Sequence, residues 1–155
     1  MPILARLLIA FLTLVVVGCR PASSLPVVDL RFVSAGGTET PKFKMEVVAS
    51  PEARSKGLMF RRQLDEQGGM LFVFPEQDVH SFWMKNTVLS LDMVFVSADW
   101  RVVGILKRVP PMNEEPRRVE QPSQYVLEFQ AGTADRIGLV EGATVKVDGV
   151  LPRGY

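Results

Sequence analysis

From Val27 onward the apolar positions mostly fall two apart, the period of strands rather than helices. "VVDLRFV" (Val27–Val33) and "FKMEVVA" (Phe43–Ala49) alternate, with Phe43, Met45 and Val47 on one face. "MLFVF" (Met70–Phe74) is a continuous apolar run ended by Pro75, the pattern of a strand buried on both faces. "LDMVFV" (Leu91–Val96) and "RVVGILK" (Arg101–Lys107) flank the turn "SADW" and predict a hairpin. "YVLEFQ" and the segment "EGATVKVDG" add two more strands. "SFWMKNT" (Ser81–Thr87) also fits a strand. His80, Phe82, Met84 and Asn86 then share an inward face, and Ser81, Trp83, Lys85 and Thr87 an outward one.

The period changes after Ala49. Ser50 suits a helix cap and Pro51 the first helical position. Ala53, Gly57, Phe60 and Leu64 recur at helical spacing, which predicts a helix near 51–62. Gly57 costs such a helix about 1 kcal/mol against alanine, so its place on the stripe implies close packing against a sheet. "GTADRIG" predicts a short helix near 132–138 with Thr133 as its cap. "RVPPMNEEPRRVEQPSQ" (Arg108–Gln124) has no period and several prolines, and irregular loops of that length usually carry function or are disordered. The expectation is a mainly β (α+β) domain at 27–155. It would be a compact, mostly antiparallel barrel or sandwich of about eight strands, closed on one side by the longer helix.

The N-terminus obeys another pattern. Arg6 precedes "LLIAFLTLVVV", about the length of a signal-peptide core and short for a bilayer span. "VVGC" (Val16–Cys19) resembles the lipobox of bacterial lipoproteins. That resemblance implies a signal peptide at 1–18, cleavage before Cys19 and a lipid on its sulfur; the alternative is an ordinary secretory signal with Cys19 incidental. "RPASSLP" completes a small, polar, Pro-rich tether at 19–26. Arg20 stands where the usual inner-membrane retention signal is aspartate, so the outer membrane is favoured over the inner for a chain facing the periplasm or exterior.

With 155 residues, 47% of them hydrophobic, the chain can build a sizeable core. Cys19 is the only cysteine, which excludes an internal disulfide and a Cys-based zinc site. The chain has 18 Lys+Arg and 17 Asp+Glu; loss of Arg6 with the signal leaves 17 against 17, a poor balance for binding nucleic acid.

His80 is the only histidine, and no G-x-S-x-G elbow, P-loop or G-x-G-x-x-G is present. A glycosidase needs two carboxylates facing one another, and spacing alone does not place Asp92 or Glu128 so. Thioethers and imidazole suit Cu(I), with His80 and Met84 the candidate ligands, although methionines ordinarily fill cores. The outward face of "SFWMKNT" reads either as a packed ring beside solvated polar groups or as an aromatic platform flanked by donors, the makeup of a small-ligand site.

"GLMFRRQL", "GGMLFVFP", "FWMKNTVLSLDMVFV" and "YVLEFQAGTADRIGLVEGATV" together resemble the bacterial and archaeal family named "domain of unknown function 192", over roughly Val27–Val150. Ser90 stands where the family usually has proline, and "PPMNEEP" lacks the cysteine often found in that loop. The resemblance implies a fold without a reaction. Its motif also contains polar residues that core packing does not explain: Arg61, Lys85, Asn86, Thr87 and Asp92. With Trp83 they form the candidate binding site, on a rim bordered by the long loop. The sequence therefore describes a lipid-anchored envelope protein with no cofactor, a non-catalytic ligand-binding or interaction module for an unknown envelope ligand or protein. A hydrolase or transferase acting on envelope glycan or peptide is the alternative, and a Cu(I)-binding protein the third.

Overall fold

In the computed structural model, residues 25–155 are described. The expected signal peptide at 1–18, Cys19 and the expected tether up to residue 24 lie outside them. Leu25 and Pro26 belong to the fold: Leu25 packs on the core and the Pro26 carbonyl accepts from Val47 N at 2.8 Å.

Seven strands form one sheet. They are β1 (Val27–Val33), β2 (Phe43–Val48), β3 (Gly68–Asp78), β4 (Leu91–Val96), β5 (Val102–Val109), β6 (Ser123–Gln130) and β7 (Thr144–Asp148). The order across the sheet is β5-β4-β6-β3-β2-β1-β7. Every pair is antiparallel except β2 with β3, joined by the helix α1 (Pro51–Lys56). A parallel pair requires such a crossover. The outer strands approach each other at one end, where Val102 N donates to Ala143 O at 2.9 Å and Val145 N to Trp100 O at 2.8 Å. The sheet thus curls into a half-barrel.

Both faces are apolar. One cluster gathers Leu30, Phe32, Phe43, Met45, Leu71, Val94, Leu127 and Phe129, with Phe43 and Phe129 edge to face at 5.1 Å. The second gathers Leu58, Met70, Phe72, Met84, Leu91, Met93, Phe95 and Val126 under α1 and the loops. Met70–Val73 are buried on both faces, as their unbroken apolar run predicts. β3 continues past Pro75 because the register with β6 shifts between Val73 and Asp78, freeing the proline from the ladder.

Three expectations fail, each for a local reason. The longer helix stops at Lys56. Ser50 Oγ does accept from Ala53 N at 3.2 Å, but Gly57 turns the chain at φ 46°. Phe60 leaves the helical path at φ 66° to donate its N–H to Asn86 O at 2.9 Å, and lies 69% exposed. Gly57 does pack closely: a Cβ there would stand 3.1 Å from the Phe72 ring. The missing eighth strand is "SFWMKNT". Its backbone pairs with the long loop instead: Phe82 and Arg117 exchange both bonds at 2.8 and 2.7 Å, Met84 N donates to Asn113 O at 2.7 Å, and Met112 N to Thr87 O at 3.0 Å. Asn86 turns the segment at φ 52°. Finally, the second helix, α2 (Thr133–Arg136), is not capped by Thr133. The Asp92 carboxylate of β4 accepts from Ala134 N at 2.8 Å and supplies the cap from a distance in sequence.

Candidate functional site

A cleft of about 340 Å³ opens between the end of α1, the middle of β3 and the 81–87 segment. Its walls are Leu58, Met59, Phe72, Phe74, Phe82 and Trp83; Arg54, Ser55, Lys56 and Ser81 stand around it, and Thr87 and Glu128 also line it. Gly57 permits the α1 end to sit against Phe72, and the bonds between residues 82–87 and the long loop hold the opposite wall.

Glu128 is the unusual member. On β6 it stands opposite Met70 of β3 and Met93 of β4, so its side chain shares the face of these two buried thioethers. It is only 4% exposed. Among the described residues no group hydrogen-bonds its carboxyl. Burial alone pushes its pKa up from 4.5 to about 8, since an apolar surrounding disfavours the charged form. At neutral pH it is a carboxylic acid, both donor and acceptor.

The aromatic walls carry cations on their faces. Lys85 Nζ lies 5.2 Å from the Trp83 ring and 3.7 Å from Glu114 of the long loop. The Arg54 guanidinium lies 4.9 Å from the Phe74 ring centroid and donates to the carbonyls of Ala49, Val73 and Tyr155. His80 stacks on Phe74 at 3.6 Å, and partial burial pulls its pKa down.

The predicted site residues separate. Trp83, 48% exposed, and the buried Thr87 line the cleft, with Lys85 beside Trp83. Asn86 makes the turn and points its amide at the Met59 sulfur, 4.0 Å away. Arg61 lies elsewhere, forked onto Glu46 of β2 beside a polar cavity that also takes in Lys44 and Gln67. That pairing holds the Glu46 carboxyl below its ordinary range. Asp92 is fully buried and accepts from Arg108 N and Ala134 N, both at 2.8 Å, so it is neither at the rim nor paired with Lys85. Met84 is buried in the second cluster, while His80 stacks on Phe74. Glu128 was missed. The signal was an acid two residues after Val126, on the same apolar face, between Leu127 and Phe129.

The family model described as "Uncharacterized ACR", DUF192, matches residues 32–147. The chain belongs to the DUF192 family. Two solved structures share the DUF192 fold at clear sequence identity. One is a protein of Sinorhizobium meliloti 1021 named provisionally as a transcription regulator, 35% identical, with a TM-score of 0.78 over 83% of this chain and 99% of that one. The other, a protein of unknown function from Novosphingobium aromaticivorans DSM 12444, is 36% identical, with a TM-score of 0.74 over 82% of this chain and 89% of that one. A search of curated proteins returns no match.

Proposed function

We propose that this DUF192 chain is a non-catalytic ligand-binding module of the cell envelope, lipid-anchored through Cys19, whose ligand enters the cleft over Glu128. The observation that carries this reading is the unpartnered Glu128 carboxyl facing an aromatic cleft. Among the described residues no protein group hydrogen-bonds this carboxyl, so its donor and acceptor are free for a group in the cleft. Perturbed titratable groups in clefts concentrate at functional sites. Among the described residues Glu128 is the only carboxylate lining the cleft, and a glycosidase needs two. Ser55 and Ser81 line it, but among the described residues no histidine lines it with them and neither hydroxyl is hydrogen-bonded to Glu128. The regulator name of the S. meliloti relative is not carried over, since the mature charge balance of 17 against 17 suits nucleic acid poorly.

The test is to fill the mouth. Ser81 is exposed and lines the cleft, so Ser81→Trp should keep the melting temperature while abolishing the cellular phenotype that complementation by the wild-type gene restores. A Ser81→Trp chain that complements fully would show that the cleft is not the site. A hydrolase or transferase is the second reading, favoured by an acid whose pKa of about 8 suits proton donation. It requires turnover of an envelope glycan or peptide that Glu128→Gln abolishes. A copper role requires His80 and Met84 to act together. Titration with Cu(I) against a competing chelator is expected to give the same result for His80→Ala as for wild type.

A further inference from the structure

We infer that the cleft takes a flat, uncharged heterocycle that presents an adjacent N–H and C=O, a lactam edge, to the Glu128 carboxyl. The inference rests on the cleft being the binding site, and it names the ligand's chemistry.

The floor decides the polar edge. Glu128 sits against Met70 and Met93, with Phe72 and Leu58 nearby in the same apolar cluster. The charged groups around the cleft are Arg54 and Lys56 of α1 and Lys85 of the 81–87 segment. The residues of β3 and β4 packed on that face, Met70, Phe72 and Met93, are uncharged. Asp92 on β4 is engaged with two backbone N–H groups. None of these charges moves Glu128; burial alone does. The carboxyl is therefore protonated, with one O–H to donate and one C=O to accept, side by side. A protonated carboxylic acid used as a donor in an apolar site has precedent in enzyme chemistry. The complement of that pair is a group whose N–H and C=O point the same way. A lactam edge has this arrangement; an ordinary trans amide does not.

The rest of the cleft excludes the competing chemistries. A cation at the floor would have to ionise the neutral Glu128 and repay the desolvation of both charges, and it would pass Arg54 and Lys56 to get there. A sugar would bring many hydroxyls to a cleft whose neutral polar side chains are Ser55, Ser81 and Thr87, and Thr87 already donates to Lys85 O at 3.2 Å. Hydroxyls without partners are costly to bury. A flat ring with one polar edge meets Phe72, Phe82 and Trp83 with its apolar faces, and aromatic pairs add to the area they bury.

The experiment uses the full chain in detergent and three probes: 2-pyridone, choline and methyl glucoside. The readouts are the Met59 methyl NMR signal and calorimetry. 2-Pyridone should bind, and N-methyl-2-pyridone, which lacks the N–H, should not. Binding should weaken about tenfold per pH unit above pH 8, as Glu128 ionises. Glu128→Gln keeps a donor and an acceptor and should bind without that pH dependence. Glu128→Leu should not bind. The inference is overturned if 2-pyridone fails to bind, or binds equally to Glu128→Leu. Choline binding that strengthens through pH 8 and is lost in Glu128→Gln would assign a cation instead, and methyl glucoside binding would assign a sugar; either leaves the cleft as the site. The cleft reading fails separately, through a Ser81→Trp chain that complements fully.

Discussion

At the residue scale, two buried acids do opposite things. Glu128 has a folded pKa of about 8 against an ordinary 4.5. Below about pH 4.5 both states hold the proton. Between 4.5 and 8 only the folded state does, so folding stability falls as pH rises across that window. The loss is about 1.4 kcal/mol per unit at its steepest. Urea unfolding should therefore show wild type losing stability from pH 5 to 8, with Glu128→Gln much flatter. Equal slopes in the two proteins would remove the buried-acid account. Glu46 acts in the other direction: Arg61 lowers its pKa, so its contribution is present above pH 4.5 and lost in acid. Asp92 is buried as an acceptor, tying the start of α2 and the Arg108 backbone to β4. Asp92→Ala leaves two N–H groups without their buried partner, at roughly 3–5 kcal/mol. A cost under 1 kcal/mol in chemical denaturation would contradict that role. Nothing in "LDMVFV" reveals it, because both partners lie far along the chain. Alternation alone places Asp92 only on the face opposite Leu91 and Met93.

At the element scale, the strands were legible because period-two patterns survive tertiary context. β1, β2 and β4 stand within a residue of the segments their alternation predicts. The two helices were legible in place, and the Ser50 cap with them, but the length of the first was not, since a backbone bond to a distant residue overruled local spacing. Phe60 N–H goes to Asn86, and that one bond ends the apolar stripe predicted from Ala53 to Leu64. "SFWMKNT" reads like a strand because Phe82 and Met84 pack inward on alternate positions, but its partner is the proline-rich loop rather than a sheet. That loop also packs on β5, where a Cβ at Gly104 would come within 2.6 Å of Val119. The segment therefore has a scaffold side and an open side. Met84, fully buried, should cost about 2–5 kcal/mol when replaced by alanine. Lys85, with an exposed partner in Glu114, should cost under about 1 kcal/mol. Melting temperatures of the two variants check this. A Lys85→Ala chain as unstable as Met84→Ala would make Lys85 part of the scaffold.

At the scale of the whole molecule, the point where the chain enters the fold bears on how the cleft is presented. Leu25 packs on the second cluster, the same side of the half-barrel as the cleft, and Pro26 is bonded into the sheet. Leu25 lies six residues after Cys19, a reach of roughly 20 Å when fully extended. On the proposed anchoring, the cleft side of the domain stays near the membrane surface, and a ligand arriving there need not be abundant in solution. No helix among the described residues is long and apolar enough to cross a membrane; on the proposed anchoring the lipid supplies the attachment. One acyl chain binds a bilayer only marginally, whereas several hold stably. Cys19→Ser should therefore lose incorporation of a labelled fatty acid, retain residues 1–18 as an unprocessed precursor, and leave 2-pyridone binding by the folded domain unchanged. If the variant is still cut before residue 19 and the wild type takes up no label, the anchor does not exist, and the cleft must find its ligand in solution.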